Sequence, residues 1–276
     1  MVAGVAAASA DATIFQPNSP ILKRVEIRLR RLPPVFDGFT IAQLSDFHYD
    51  KHFSHIPIQR GIEISNALKP DMVVLTGDFV TQPALHHYLH NSTQGAKAAE
   101  PCAALLTQVR ARQGVFAILG NHDANTDPEF VTECLESRGI PVLANRSLAI
   151  ERAGSRFWLC GTRDNPRDSD LQATLLGLPV EEAKIVLIHE PDCAEYTERH
   201  PVDLQLSGHS HGGQVRLPII GPVYLPDRGI WYPRGLRQIR QLTLYTNVGL
   251  GTIGPPVRWN CPPEVTLFTL RSGAAS

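Results

Sequence analysis

Seven side chains of this sequence have the types and spacing to hold metal ions: Asp46, His48, Asp78, Asn121, His189, His209 and His211. They fall in five short motifs: Asp46-Phe47-His48, Gly77-Asp78, Gly120-Asn121-His122-Asp123, a lone His189, and Gly208-His209-Ser210-His211. In the first, the donors stand at i and i+2. On an extended chain such side chains point the same way, so both can reach one ion. His209 and His211 repeat the device with two imidazoles. Asp78 follows a glycine that lets the backbone turn sharply, and its two oxygens suit it to bridging two cations. Asn121 adds a neutral amide oxygen. A mixed oxygen and nitrogen set favours two divalent ions of the Mn, Zn or Fe type over Ca²⁺ or a thiolate-seeking ion. Two such ions, roughly 3.5–4 Å apart, can activate a water and clamp a phosphoryl group for in-line displacement. His122 is the expected general acid for the leaving oxygen, and Asp123 is expected to orient it.

Taken singly these motifs are weak, since a D-x-H is noise and an aspartate at a strand end is commonly a cap. Their positions carry the argument. The runs FTIAQLSD, DMVVLTGD, GVFAILGNHD, AKIVLIHEPD and VDLQLSGHSH each lead from an apolar stretch into a motif. Continuous apolar runs of this length suit strands buried on both faces, and ligands bind beyond the carboxyl ends of strands in α/β sheets. Helices are expected over 58–68, 99–112 and 168–176. Another should start at a capping box of Thr126 and Glu129 and stop at Gly139. From Ser147 onward short strands intermix, and the end of the chain reads as sheet. No linker is visible, so residues 21–273 form one α/β domain. Residues 1–20 read as a disordered tail or the remnant of a signal or anchor: Ala8-Ser9-Ala10 resembles a cleavage site, but no positive region precedes it.

The ordered set D-x-H, G-D, G-N-H-D, H, G-H-x-H resembles the calcineurin-like metallophosphoesterase superfamily, over about residues 20–271. The block GHSHGGQ and the tail YTNVGLGTIGPPVRWNCPPEVTLFTL are similar to a bacterial subgroup of it. The resemblance implies a four-layer α/β/β/α sandwich with a dinuclear centre at one edge of the paired sheets. It implies that Asp46, His48, Asp78 and His211 hold one ion, that Asp78, Asn121, His189 and His209 hold the other, and that His122 serves the leaving group. The subgroup is similar to phosphodiesterases and includes enzymes that split UDP-2,3-diacylglucosamine in lipid A biosynthesis. Thr81 stands where purple acid phosphatases carry a tyrosine, which argues against a tyrosinate–iron centre. Thr81-Gln82 also replaces the Asp-Arg of phosphoprotein phosphatases, so their phosphate-gripping arginine is missing at that position.

The rest of the sequence narrows the partners. Charged residues make up 19% of 276 and the net charge is -1, so no basic field is available to grip nucleic acid. Five scattered cysteines with no C-x-x-C pair argue against a disulfide framework. No run reaches the roughly 18 apolar residues of a spanning helix. His86, His87 and His90 lack an accompanying carboxylate and read as solvated. Arg163 and Asn165, in GTRDN, are candidate substrate contacts. The segments after His48 and His211 are rich in proline and large apolar residues. One reading makes Val215, Leu217 and Val223 the inward face of a hairpin; the other makes these segments an exposed rim for acyl chains or a membrane surface, with Arg216, Arg228, Arg234 and Arg237 for anionic headgroups. The expected activity is hydrolysis of a phosphodiester or pyrophosphate small molecule, with a lipid-linked substrate and peripheral membrane contact in view. The alternatives are a phosphomonoesterase or protein phosphatase, and a non-catalytic binding protein on the same fold.

Overall fold

In the computed structural model, which describes residues 10–82 and 93–273, every apolar run becomes a strand that stops one or two residues short of its motif. In chain order the strands are β1 (Ile21–Leu29), β2 (Thr40–Leu44), β3 (Met72–Thr76), β4 (Val115–Ile118), β5 (Arg146–Arg152) and β6 (Ser155–Gly161). There follow β7 (Lys184–Leu187), β8 (Leu204–Ser207), β9 (Arg216–Leu217), β10 (Gly221–Pro222), β11 (Gly235–Ile239), β12 (Leu242–Thr246) and β13 (Glu264–Ser272). One sheet has the order β1-β13-β2-β3-β4 and the other β11-β12-β8-β7-β6-β5, while β9 and β10 make a separate hairpin. The strands β2, β3 and β4 are parallel, as are β6, β7, β8 and β12. Parallel pairing brings their carboxyl ends, and so the motifs, to common edges.

Alternate residues of one strand serve different layers. Ile41 and Val74 face the second sheet, where they meet Phe157, Ile185 and Leu206. Their neighbours Ala42, Leu44, Val73 and Leu75 lie under the helices His55–Leu68, Ala99–Leu106 and Pro128–Glu136. The outer face of the second sheet, through Cys160, Val186 and Leu244, packs on Leu171 and Leu175 of the helix Asp168–Leu175 and on Ala194. Both faces of these strands are covered, which is why the sequence shows unbroken apolar runs rather than alternation. The result is a four-layer α/β/β/α sandwich. Phe36, Phe39 and Phe157 close its centre edge to face, with centroids 4.9–5.7 Å apart.

Several boundaries differ from expectation. The helix expected over 99–112 ends at Leu106 because the chain crosses to β3's approach, where Arg112 and Gln113 donate N–H to the carbonyls of Pro70 and Asp71. The helix expected from 58 starts at His55 and stops where Lys69 turns left-handed, φ 51°, before Pro70. Asp127, not Thr126, caps the next helix: its carboxylate accepts the Phe130 N–H at 3.1 Å, while the Thr126 hydroxyl donates to the His122 carbonyl. Within the segment read as a tail, Asp11–Phe15 form a helical turn and the Ala12 carbonyl accepts the Arg258 N–H at 2.9 Å. His86, His87 and His90 lie outside the described residues. Among the described residues no helix is long and apolar enough to cross a membrane.

Candidate metal centre

Where the chain leaves the strands, its backbone adopts conformations that side-chain-bearing residues seldom take. Asp46, His48, Asp78, His209 and His211 have φ values of 51°, 41°, 57°, 69° and 50°. A left-handed non-glycine residue costs about 1–3 kcal/mol, so five of the seven candidate ligands sit on strained turns. The i, i+2 spacing therefore works by turning, not by extension. Asp46 and His48 converge with His211, whereas His209 joins Asp78 and His189, and His122 stands with His48 and Asp78 between them. The two imidazoles of GHSH are thus divided between clusters, which corrects the reading of that motif as a repeat of D-x-H.

Close backbone approach makes this possible. A Cβ on Gly120 would lie 2.3 Å from Asp78 Oδ1, and one on Gly208 would lie 2.3 Å from Asp46 Oδ2. Only glycine fits at either point. Asp46 and His48 donate N–H to the carbonyls of Gly77 and Asp78 at 3.0 and 2.9 Å, extending the β2–β3 pairing into the loops. The His209 N–H donates to Asp46 Oδ1 at 2.8 Å, and the His122 N–H to Asp78 Oδ1 at 2.9 Å.

Asp78 lies between the clusters, its Oδ2 being 3.4 Å from His48 Nε2 and 3.2 Å from His189 Nε2. His48 Nε2 and His211 Nε2 face each other at 3.0 Å, and His209 Nδ1 is 2.8 Å from Asn121 Oδ1. The outward nitrogens are already engaged. His189 Nδ1–H donates to the Thr76 carbonyl at 2.6 Å, His209 Nε2–H to the Asp227 carbonyl at 2.7 Å, and His48 Nδ1 meets Thr81 Oγ1 at 3.1 Å. Pinning the outer nitrogen turns the lone pair of the other one inward, the usual support of a metal-binding histidine. Asp46 Oδ2 is buried with no hydrogen-bond partner, and the buried His189 Nε2 faces the Asp78 carboxylate at 3.2 Å without hydrogen-bond geometry. Such groups are rare unless something satisfies them, and a cation at each cluster would. The residues present fit two ions.

Charge states agree with this for three histidines and Asp78. In the metal-free chain, by contrast, burial pushes Asp46 up to about 6, and at His189 burial is outweighed by the Asp78 and Asp46 carboxylates, which raise it well above its ordinary range. Burial drives His48 down to about 3 and His209 to about 4, and pulls His211 well below its ordinary range. These imidazoles are neutral, as ligands must be. Burial works against ionisation of Asp78, but His189, His122 and His48 outweigh it and hold the carboxyl well below its ordinary range. The clusters open into a cavity of about 580 Å³ that also meets Gln214, Val215, Val223, Tyr224, Pro226, Ile253 and Pro255.

Residues 39–213 match the family model described as calcineurin-like phosphoesterase, and that span holds all seven side chains. The metallophosphoesterase YkuE of Bacillus subtilis is 36% identical over 252 residues, 89% of this chain and 84% of that protein. The phosphodiesterase YaeI of Escherichia coli is 33% identical over 237 residues, 84% and 82% of the two chains. The chain is a calcineurin-like phosphoesterase. It is accordingly a metal-dependent hydrolase of phosphoric esters. The solved calcineurin-like phosphoesterase YfkN of Bacillus subtilis shares the fold, with a TM-score of 0.50 at 13% identity over 77% of this chain and 81% of that one.

In this phosphoesterase His122 lines the cavity, and its Nδ1 accepts the Gln82 N–H at 2.9 Å, so the neutral ring carries its proton on Nε2. Asp123 does not orient it. The Asp123 carboxylate accepts backbone N–H from Asp78, Gly120, Phe79 and Val80 at 2.8, 2.9, 2.9 and 3.1 Å. It ties the Asp78 turn to the Asn121 turn, which is a scaffold's work. Arg163 and Asn165 also fall elsewhere: they line a separate groove of about 920 Å³ against the helix Pro128–Glu136. Arg163 pairs with Asp170 at 3.1 Å, and the Asn165 N–H donates to Glu190 at 3.2 Å. Neither touches the metal clusters. Val223, read as inward-facing, is 62% exposed, whereas Val215 and Leu217 are half-buried. Sequence reasoning missed Thr81, noticed only as the replacement of a tyrosine. Its hydroxyl, three residues past Asp78, was the available signal.

Proposed function

We propose that the chain cleaves phosphodiesters or pyrophosphates bearing an apolar substituent, a lipid-linked substrate such as UDP-2,3-diacylglucosamine among them. The character of the cavity carries this reading. Its outer walls are Val215, Val223, Tyr224, Pro226, Ile253 and Pro255, and among the described residues neither lysine nor arginine lines it. A phosphomonoester carries about -1.5 to -2 charges and is commonly met by arginine. A diester carries one, which the cations can meet, and its second substituent needs a surface to lie on. The name of the Escherichia coli relative, a phosphodiesterase, points the same way.

Asp46, His48, Asp78 and His211 would hold one cation, and Asp78, Asn121, His189 and His209 the other. When bound, the two supply Lewis acidity and charge neutralisation at the phosphoryl oxygens. His122 presents Nε2–H towards the leaving oxygen. The apolar wall continues outward into a rim where Ile220, Tyr224 and Trp231 are 75%, 71% and 71% exposed and Ile219 is fully so. Over 216–237 four arginines, Arg216, Arg228, Arg234 and Arg237, stand against one acid, Asp227. An exposed apolar patch with a basic margin suits acyl chains at an anionic lipid surface.

The test compares bis(nitrophenyl) phosphate, nitrophenyl phosphate, and short-chain and acylated nucleotide sugars on metal-replete protein. Sedimentation with anionic liposomes is measured for wild type and a variant with Ile219, Ile220 and Trp231 changed to serine. Diester turnover above monoester, with acylated substrate preferred and liposome binding lost in the variant, is the expected result. Preference for the monoester overturns the diesterase reading. Indifference to liposomes and to acylation overturns the lipid-facing rim alone.

A further inference from the structure

Arg258 heads the largest side chains that are wholly withdrawn from solvent, and its side-chain hydrogen bonds go to backbone carbonyls and to the His211 ring, not to carboxylates. Nε donates to Gly251 O at 3.2 Å and Nη1 to Cys261 O at 3.1 Å. Nη2 reaches Gly251 O, Val248 O and Gly249 O at 2.6, 2.9 and 3.2 Å, and lies 3.4 Å from His211 Nδ1. A planar guanidinium with donors in a fixed fork can gather several carbonyls at once, which an ammonium on a flexible stem cannot do with the same geometry.

The gathered segment backs the metal ligands. Leu250 donates N–H to Ser45 O at 2.9 Å and Gly251 to Asp46 O at 2.7 Å. Gly249 lies so close that a Cβ there would sit 2.6 Å from that of Asp46. The clamp therefore bears on Asp46 through 249–251 and on His211 directly. Both belong to the cluster of Asp46, His48 and His211. No hydrogen bond of Arg258 reaches Asn121, His189 or His209.

We propose that Arg258 is a positioning residue that fixes the Asp46–His48–His211 half of the dinuclear centre and leaves the other half alone. The proposal rests on the reading of both clusters as metal sites. A buried positive charge beside a cation site opposes cation binding through space. The role is thus geometric: the clamp holds two ligands on strained turns in register, and this outweighs the repulsion.

Metal-free wild type, Arg258→Met and Arg258→Lys are titrated with Mn²⁺, with bound ions counted by elemental analysis and the spectrum followed by electron paramagnetic resonance. Wild type should bind two ions with a coupled spectrum. Arg258→Met should keep one ion at wild-type affinity and bind the other roughly 10–100-fold more weakly, the usual consequence of losing a ligand's support. Its residual single-ion spectrum should match that of His211→Ala and differ from that of His209→Ala. Arg258→Lys, which keeps the charge but fewer donors, should fall between, and it carries the test if Arg258→Met does not fold. Equal weakening of both ions makes Arg258 a general scaffold and overturns the proposal; unchanged or tighter binding does so as well. A wild type that binds fewer than two ions removes the dinuclear reading, and the role of Arg258 falls with it.

Discussion

Replacing Asp123 by asparagine separates a scaffold from a catalytic group. In the native chain, Oδ2 accepts the N–H groups of Asp78 and Gly120, and Oδ1 those of Phe79 and Val80. Asparagine is nearly the same shape but has one oxygen. Whichever way the amide turns, its NH₂ faces two backbone N–H groups in a fully buried site. A buried donor left without an acceptor costs about 1–3 kcal/mol. Two of them predict a loss of about 2–6 kcal/mol, a large share of the roughly 5–15 kcal/mol that holds a domain folded. The measurement is urea unfolding of the metal-free proteins, paired with turnover of one ester with a good leaving group and one with a poor one. Asp123→Asn should unfold at clearly lower urea. Whatever activity remains should fall by the same factor on both esters, since the substitution loosens the Asp78 and Asn121 turns without touching proton donation. A variant that unfolds with wild type, yet fails selectively on the poor leaving group, would show that Asp123 acts through His122 after all.

Two further outcomes follow from particular contacts. His122→Ala should lose roughly 10²–10⁴-fold on esters with poor leaving groups and least on a nitrophenyl ester, with metal content unchanged by elemental analysis; equal losses on both would remove the Nε2–H from that role. Asp71 accepts from the Thr40 N–H and hydroxyl at 2.9 Å each and from Arg152 and Arg112 at 3.1 and 3.3 Å. Burial pushes its carboxyl up, but Thr40 and the two guanidiniums outweigh that and hold it below the ordinary 3.8. The native state then binds its proton less readily than the unfolded chain. Its contribution is present above 3.8 and is lost as pH falls through the lower native value. Asp71→Asn should cost about 1–3 kcal/mol at neutral pH, and the gap in urea midpoint from wild type should narrow as the pH drops below that range. A gap that does not change with pH would mean that the charge of Asp71 contributes nothing.

The strands were legible because burial on both faces leaves a chemical trace. Ala42 and Leu44 serve one layer and Ile41 the next, so no polar residue interrupts the run. Donors just past five such runs then had to meet at a sheet edge, whatever the details of the loops. What the sequence does not display is how the loops turn. Asp46-Phe47-His48 does not by itself announce left-handed backbone: aspartate and histidine are enriched there, but only glycine visits it routinely. The glycines that are present mark where neighbouring segments touch, as at Gly120 and Gly208, and where the chain bends beside a ligand, as at Gly77 and Gly212 with φ of 93° and 60°. The extended-chain reading of D-x-H brought Asp46 and His48 together by the wrong geometry. Applied again to GHSH, it erred, since a turn at each histidine sends His209 and His211 to different clusters. Asp123 was misread for a related reason. Beside a catalytic histidine, a carboxylate is ordinarily credited with orienting it, and only the coordinates reveal four N–H groups converging from two other turns. Arg258 was invisible for the opposite reason. Arginine in a proline-rich tail reads as surface, and its burial follows from the carbonyls of Val248, Gly249, Gly251 and Cys261 that face it inside the fold. The strain that the ligands store and the clamp that holds the turns are two sides of one arrangement, in which local backbone preference is overruled where the chemistry needs its donors.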